Sequence, residues 1–358
     1  MDVKLNFRSS ILDLSPYAVS GYDAGVKLNQ NENPFDLPSD LKREIISEFY
    51  SMNWNRYPEV FSRKLSEKLS AIHGVYPESI IAANGSNELI YTVGISIIES
   101  GVEVLIPQPT FYFFEKIASI LNGKIIKVFA KPDLEFDEDS ILSEAKKINR
   151  GLVIIGSPNN PTGKSFSNNF VRTLLESTRA IVLLDEAYVE FSRNPSSIRL
   201  VNEYRNLIVL RTFSKAFSLA GLRIGYLAAH PDTAAEIMKV KIPFTVNRLS
   251  EFTALKLLEH KKLVDDRIEF LKTQRDWMTA ELKKIKDVAV IPSDANFFLF
   301  ATSREPKKMF NDLLERKSVL VRDVSNYPML ERFLRVNAGT KEESEIFVKS
   351  VMEILEER

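Results

Sequence analysis

The chain has 358 residues, 44% hydrophobic and 27% charged, which is the composition of a soluble globular protein long enough for one large domain and a smaller one. Lysine plus arginine and aspartate plus glutamate each total 48, so the net charge is zero; this excludes nucleic acid or an anionic membrane as the main partner by whole-surface attraction. There is no cysteine, so disulfides, thiolate metal sites and a thiol nucleophile are excluded, and His73, His230 and His260 have no ligand-like spacing, so no zinc site is expected.

The first eight residues lack a secretory apolar core. The most apolar helical run, residues 89–98, contains Thr92, Gly94 and Ser96 and is too short to span a bilayer. A soluble, cytoplasmic protein is expected. His73 stands before Gly74 at a predicted helix end, where a protonated ring would offset the helix dipole. Residues 80–83 are a predicted strand that runs into Gly85-Ser86-Asn87, a turn opening an apolar-periodic helix. Further apolar strands are predicted at 103–106, 124–129, 152–155, 181–184, 207–210 and 225–229, several separated by helical stretches such as 168–177. The alternation predicts an α/β fold with a mostly parallel central sheet flanked by helices.

After Pro243 the texture changes. No Gly or Pro occurs until Pro292, and Val264, Ile268, Leu271, Met278, Leu282 and Ile285 follow a helical spacing that Arg275 interrupts. A helix packed on its own domain is favoured over a coiled-coil partner helix. A strand at 296–300, a helix near 305–317, a strand at 319–321 and a final helix from Lys341 complete a smaller α+β domain. The expected division is an arm at 1–30, a large domain at 31–243 and a small domain at 244–358.

Chemistry gathers where the apolar strands end. Lys215 follows the run at 207–210 among small and hydroxylic residues, a setting in which an amine can lose its proton and attack a carbonyl. Alone, such a lysine would more often reach solvent. Three other strand ends change the balance: Asn160 after 152–155, Asp185 with Tyr188 after 181–184, and the Gly85-Ser86-Asn87 turn, a ready anion site at a helix start. Ligands collect at such carboxyl ends in open parallel sheets. A carbonyl-condensing lysine points to pyridoxal 5′-phosphate (PLP), which also needs a carboxylate at its pyridine nitrogen, phosphate donors, contacts to its ring hydroxyl and a ring clamp.

From about Leu28 to about Thr340 these residues, in this order, resemble the fold-type I PLP-dependent aminotransferases. Asn160-Pro-Thr-Gly163, Asp185-Glu-Ala-Tyr188 and Ser214-Lys215…Arg223 carry the resemblance. Asn31-Glu-Asn-Pro34, Arg56-Tyr-Pro58, Pro109-Thr-Phe111 and Leu334-Arg335…Thr340 are most similar to the histidinol-phosphate aminotransferase family. The resemblance implies that Lys215 holds the cofactor aldehyde, Asp185 the pyridine nitrogen, and Tyr188 and Asn160 the ring hydroxyl. It implies a phosphate cup of Gly85, Ser86, Asn87, Thr212, Ser214 and Arg223, with Tyr57 crossing from a neighbouring subunit of a homodimer. Phe111 stands where many relatives stack a tyrosine on the ring, and Asn87 where an aspartate is common. Arg335 would take a substrate carboxylate or phosphate, Arg322 and Tyr17 the substrate phosphate, with Asn33 also at the substrate. The implied substrates are histidinol phosphate and 2-oxoglutarate, with glutamate as product. An aromatic aminotransferase, a threonine-phosphate decarboxylase-like lyase and a non-enzymatic regulatory module remain alternatives at this point.

Overall fold

The computed structural model describes residues 6–12, 14–16 and 21–357. Its strands, in chain order, are β1 (Val26–Lys27), β2 (Ile80–Ala83), β3 (Glu103–Gln108), β4 (Lys124–Phe129), β5 (Gly151–Gly156), β6 (Ile181–Asp185), β7 (Leu207–Thr212), β8 (Gly225–Ala229), β9 (Ala289–Ile291), β10 (Phe297–Ala301), β11 (Val319–Leu320), β12 (Arg322–Asp323) and β13 (Leu334–Asn337). A seven-stranded sheet has the order β2-β8-β7-β6-β5-β3-β4. β8 runs antiparallel to both of its neighbours, and the other pairings are parallel.

The central strands are apolar throughout because both faces are covered. In β5, Leu152 and Ile154 join one buried cluster while Val153 and Ile155 join the other, as strand alternation requires. Helices Ser86–Ile97, Phe113–Ile120 and Pro231–Met238 cover the first face with Leu89, Phe114 and Ile237 among others. Helix Asn168–Ser177 covers the second with Phe170, Val171 and Leu174; Ser167 caps it by accepting from the Phe170 N–H.

The carboxyl-terminal part forms an antiparallel sheet of order β12-β13-β10-β9, and β1 pairs in parallel with β11. The segment after β1 is tied to this unit: Leu28 donates its N–H to the Leu320 carbonyl at 2.8 Å. The long helix Lys261–Leu282 buries Val264, Ile268, Leu271, Met278 and Leu282, the expected stripe. Arg275 does not break that stripe. Its guanidinium is buried within it, donating to the Ala295 carbonyl at 2.9 Å and to Asp276 at 2.8 Å.

His73 does end a helix, Arg63–His73, with Gly74 at φ 68° closing it. Its ring is not a charged cap, however. Burial holds its pKa down at about 3, and Nε2 lies 2.7 Å from the Tyr226 hydroxyl. His260 is exposed at the junction of two helices rather than inside one.

Candidate active site

Parallel strands bring their carboxyl ends to one edge of the sheet, and the loops leaving β3, β5, β6 and β7 enclose a cavity of about 420 Å³ there. That volume suits a small ligand. Because β8 is antiparallel, its amino end meets the carboxyl ends of β2 and β7, with Gly225 opposite both Ala83 and Thr212. Arg223, just before β8, is thereby delivered to the start of helix Ser86–Ile97. Two glycines make this closeness possible. A Cβ on Gly85, whose φ is 81°, would stand 2.6 Å from Arg223 Nη2. A Cβ on Gly225 would stand 2.8 Å from the Ser86 nitrogen. Arg223 Nη1 donates to Ser214 Oγ at 3.3 Å, and Thr212 Oγ1 accepts from the Ser214 N–H at 3.1 Å. The helix N–H groups, two hydroxyls and a guanidinium thus meet in one cup.

Lys215 lies further along the same loop, its Nζ donating to the Gln30 carbonyl at 2.8 Å. Burial, reinforced by the positive charge of Arg335, lowers its pKa to about 8. Asp185, at the end of β6, is pushed up to about 6 by burial, against the Ala187 N–H that it accepts at 3.0 Å. Desolvation is the largest influence on it, and the charge of Lys215 a small one in the opposite direction. The next residue, Glu186, belongs to a separate buried network: it pairs with Arg211 at 3.1 Å and accepts from the Ser197 N–H at 2.7 Å.

The Tyr188 hydroxyl oxygen accepts from Asn31 Nδ2 at 3.0 Å, and its ring meets Phe297 edge-on at 5.0 Å. Asn160 Oδ1 accepts from Arg335 Nη1 at 2.5 Å, which leaves its amide N–H groups as donors. Arg335 is buried in β13, its other nitrogen Nη2 donating to the Asn29 carbonyl at 2.8 Å and its guanidinium carbon 5.1 Å from the Phe297 ring centre. Arg322 in β12 pairs in register with Arg335 and lines the same cavity. Phe111, Ser86 and Asn87 also line it.

Asn33 lines a neighbouring cavity of about 270 Å³; its amide donates to the Ala216 carbonyl at 3.1 Å and its oxygen accepts from Phe35. Tyr57 is 78% exposed and stacks on Phe244, outside the cavity of this chain. Tyr17 lies outside the described residues. Sequence reading missed Tyr112 and Tyr327, which line the cavity, and the contributions of Asn29, Gln30 and Asn31. Asn31 opens the Asn31-Glu-Asn-Pro34 motif, so a signal existed; the Gln30 contact uses a backbone carbonyl, for which a side chain gives none. Among the described residues no group of three or more His, Asp or Glu could hold a metal ion, and no helix is long and apolar enough to cross a membrane.

A lysine amine, a carboxylate and an anion cup at the carboxyl edge of a mostly parallel sheet define a class of cofactor enzyme, and comparison with known proteins identifies it. Residues 23–351 match the family of class I and II aminotransferases. The chain is 41% identical to the histidinol-phosphate aminotransferase of Prosthecochloris aestuarii, covering 96% of both chains, and 44% identical to that of Chlorobaculum parvum, covering 91% of both. The fold superposes with a TM-score of 0.88 on the crystal structure of histidinol-phosphate aminotransferase from Sinorhizobium meliloti in complex with pyridoxal-5′-phosphate, at 22% identity and covering 98% and 97% of the two chains. The chain therefore belongs to the class I and II aminotransferases and, within them, to the histidinol-phosphate aminotransferase family. It is a PLP-dependent enzyme, and the residues present fit that cofactor: the space at Gly85 that a Cβ would fill, the adjoining cup of donors, and the buried Asp185 and Lys215.

Proposed function

We propose that the protein transfers an amino group between L-histidinol phosphate and 2-oxoglutarate, a step of histidine biosynthesis, in the cytoplasm. The pairing of Arg322 with Arg335 on adjacent strands carries this reading. Both line the cavity that holds Lys215, so two cations face one substrate. A monocarboxylate needs one planar fork, whereas a site that takes a phosphate monoester and a dicarboxylate in turn uses a second. The chain's similarity to histidinol-phosphate aminotransferases, at 41–44% identity over at least nine-tenths of the chain, supports this reading.

PLP, when bound, supplies a ring that takes up the negative charge left as a proton leaves the substrate Cα. In this reading Asp185 accepts the hydrogen bond of the pyridine nitrogen and keeps that nitrogen protonated. Asn160 and Tyr188 donate to the ring oxygen, Phe111 packs on the ring face, and Gly85, Ser86, Asn87, Thr212, Ser214 and Arg223 hold the phosphate. Lys215 binds the cofactor carbon at rest. With cofactor and substrate bound, its amine would be the group that moves a proton from the substrate Cα to C4′; burial, which lowers its pKa to about 8 in the cofactor-free site, brings the accepting neutral form closer to neutral pH. Asn33, braced on Ala216, helps to place the loop that carries Lys215, and Tyr17 and Arg322 add to the grip on the substrate phosphate.

The test is kcat/KM for histidinol phosphate against phenylalanine and tyrosine. The expected result is a clear preference for histidinol phosphate, reduced roughly tenfold or more by Arg322→Ala, since one charge-assisted hydrogen bond contributes about 1.5–3 kcal/mol. A preference for the aromatic amino acids, unchanged by that substitution, would contradict the substrate assignment and leave the aminotransferase class intact.

A further inference from the structure

Three consecutive residues reach three functional groups of the site. The Asn29 carbonyl accepts from Arg335 at 2.8 Å, the Gln30 carbonyl accepts from Lys215 at 2.8 Å, and the Asn31 amide donates to Tyr188 at 3.0 Å. Asn31 is 1% exposed and is itself held from the small-sheet side. Its N–H donates to Asn337 Oδ1 at 3.0 Å, and its carbonyl accepts from Asn296 Nδ2 at 3.2 Å. Its φ of 55° is left-handed, a conformation that asparagine tolerates better than most residues.

We propose that Asn31 is a positioning residue that aims the Tyr188 hydroxyl proton at the ring oxygen of the cofactor. The inference rests on the assignment of Tyr188 to that oxygen. A phenol has one proton to donate and an oxygen that accepts. With Asn31 Nδ2 on the oxygen, the proton goes to another partner, and among the described residues no protein acceptor takes it. The Tyr188 ring is fixed edge-on against Phe297 and lines the cavity, so the proton is left for a ligand there. Donation from Asn31 also polarises the phenol and strengthens its O–H as a donor.

A donor at the ring oxygen stabilises that oxygen as an anion and loosens its hold on the proton of the adjacent Lys215 nitrogen. Losing Asn31 should therefore raise the pH at which the bound cofactor changes colour. The experiment titrates the visible absorption of the cofactor-loaded protein against pH for wild type, Asn31→Gly, Tyr188→Phe and the double variant. Glycine accepts the positive φ without strain. Asn31→Gly is expected to raise the spectral pKa by roughly half a unit to one unit. Tyr188→Phe is expected to raise it as well, and Asn31→Gly should add nothing once the hydroxyl is gone.

If Tyr188→Phe shifts the titration and Asn31→Gly does not, the inference is overturned while the Tyr188 assignment stands. If Tyr188→Phe gives no shift, both fall. An equal shift from Asn31→Gly in the two backgrounds also overturns the inference, because the residue would then act without the hydroxyl. Should the glycine variant not fold, Asn31→Asp keeps the shape and replaces the donor by an acceptor that draws the Tyr188 proton away. Its shift should be larger with Tyr188 than with phenylalanine at 188, and equal shifts count against the proposal.

Discussion

At the scale of single residues, the site depends on charges held away from water. Lys215 has its pKa lowered from 10.5 to about 8, so its ammonium form is lost as pH rises through 8 rather than through the ordinary lysine range. In the cofactor-free protein, Lys215 should react with an amine-acylating reagent at a rate that reaches half its maximum near pH 8. Peptide mapping across a pH series checks this, and a half-point near 10 would contradict the burial argument. Lys215 and Asp185 were legible in the sequence because a titratable residue at the end of an apolar strand stands out against its surroundings. Asn31 was legible only as part of a motif, since nothing local shows that it reaches Tyr188, 157 positions away. The buried place of Arg275 was hidden for a related reason: its partner, the Ala295 carbonyl, is a backbone group on another segment.

Among the elements, the strands of the large sheet were the most legible, because burial on both faces makes each a continuous apolar run. β12 and β13 were not. Arg322–Asp323 and Leu334–Asn337 are short and carry polar residues, and tertiary pairing, of β13 with β10 and of β12 with β13, defines them rather than propensity. Yet they carry Arg322 and Arg335, so the proposed substrate side of the site was the part sequence patterning read least well. The antiparallel course of β8 was also hidden, although it delivers Arg223 to the helix start at Gly85. That junction has no spare volume. Gly85→Ala places a methyl group against the Arg223 guanidinium at a backbone angle that alanine resists. The variant should fold and bind PLP roughly tenfold or more weakly, because the guanidinium that must swing aside gives up a charge-assisted hydrogen bond to phosphate. An absorbance titration with PLP measures it; unchanged affinity would show that the phosphate lies elsewhere.

For the whole molecule, we propose the division into an arm to residue 30, a large unit to 243 and a small unit beyond, with the cavity between the two sheets. The segment at 50–61 presents Tyr50, Trp54, Tyr57 and Phe61 to solvent, each at least 66% exposed. A concentrated aromatic surface of this kind marks an interaction site, and a homodimer sharing its active sites would cover it and bring Tyr57 to a partner's phosphate. Sedimentation should give a dimer, and a fully active monomer would exclude shared sites. Dimer or not, the central proposal is covalent: Lys215 carries the cofactor. Borohydride reduction of the PLP-loaded protein, followed by proteolysis and mass spectrometry, reads it directly. The predicted result is a pyridoxyl group on Lys215; a pyridoxyl group on any other lysine would contradict the site described here.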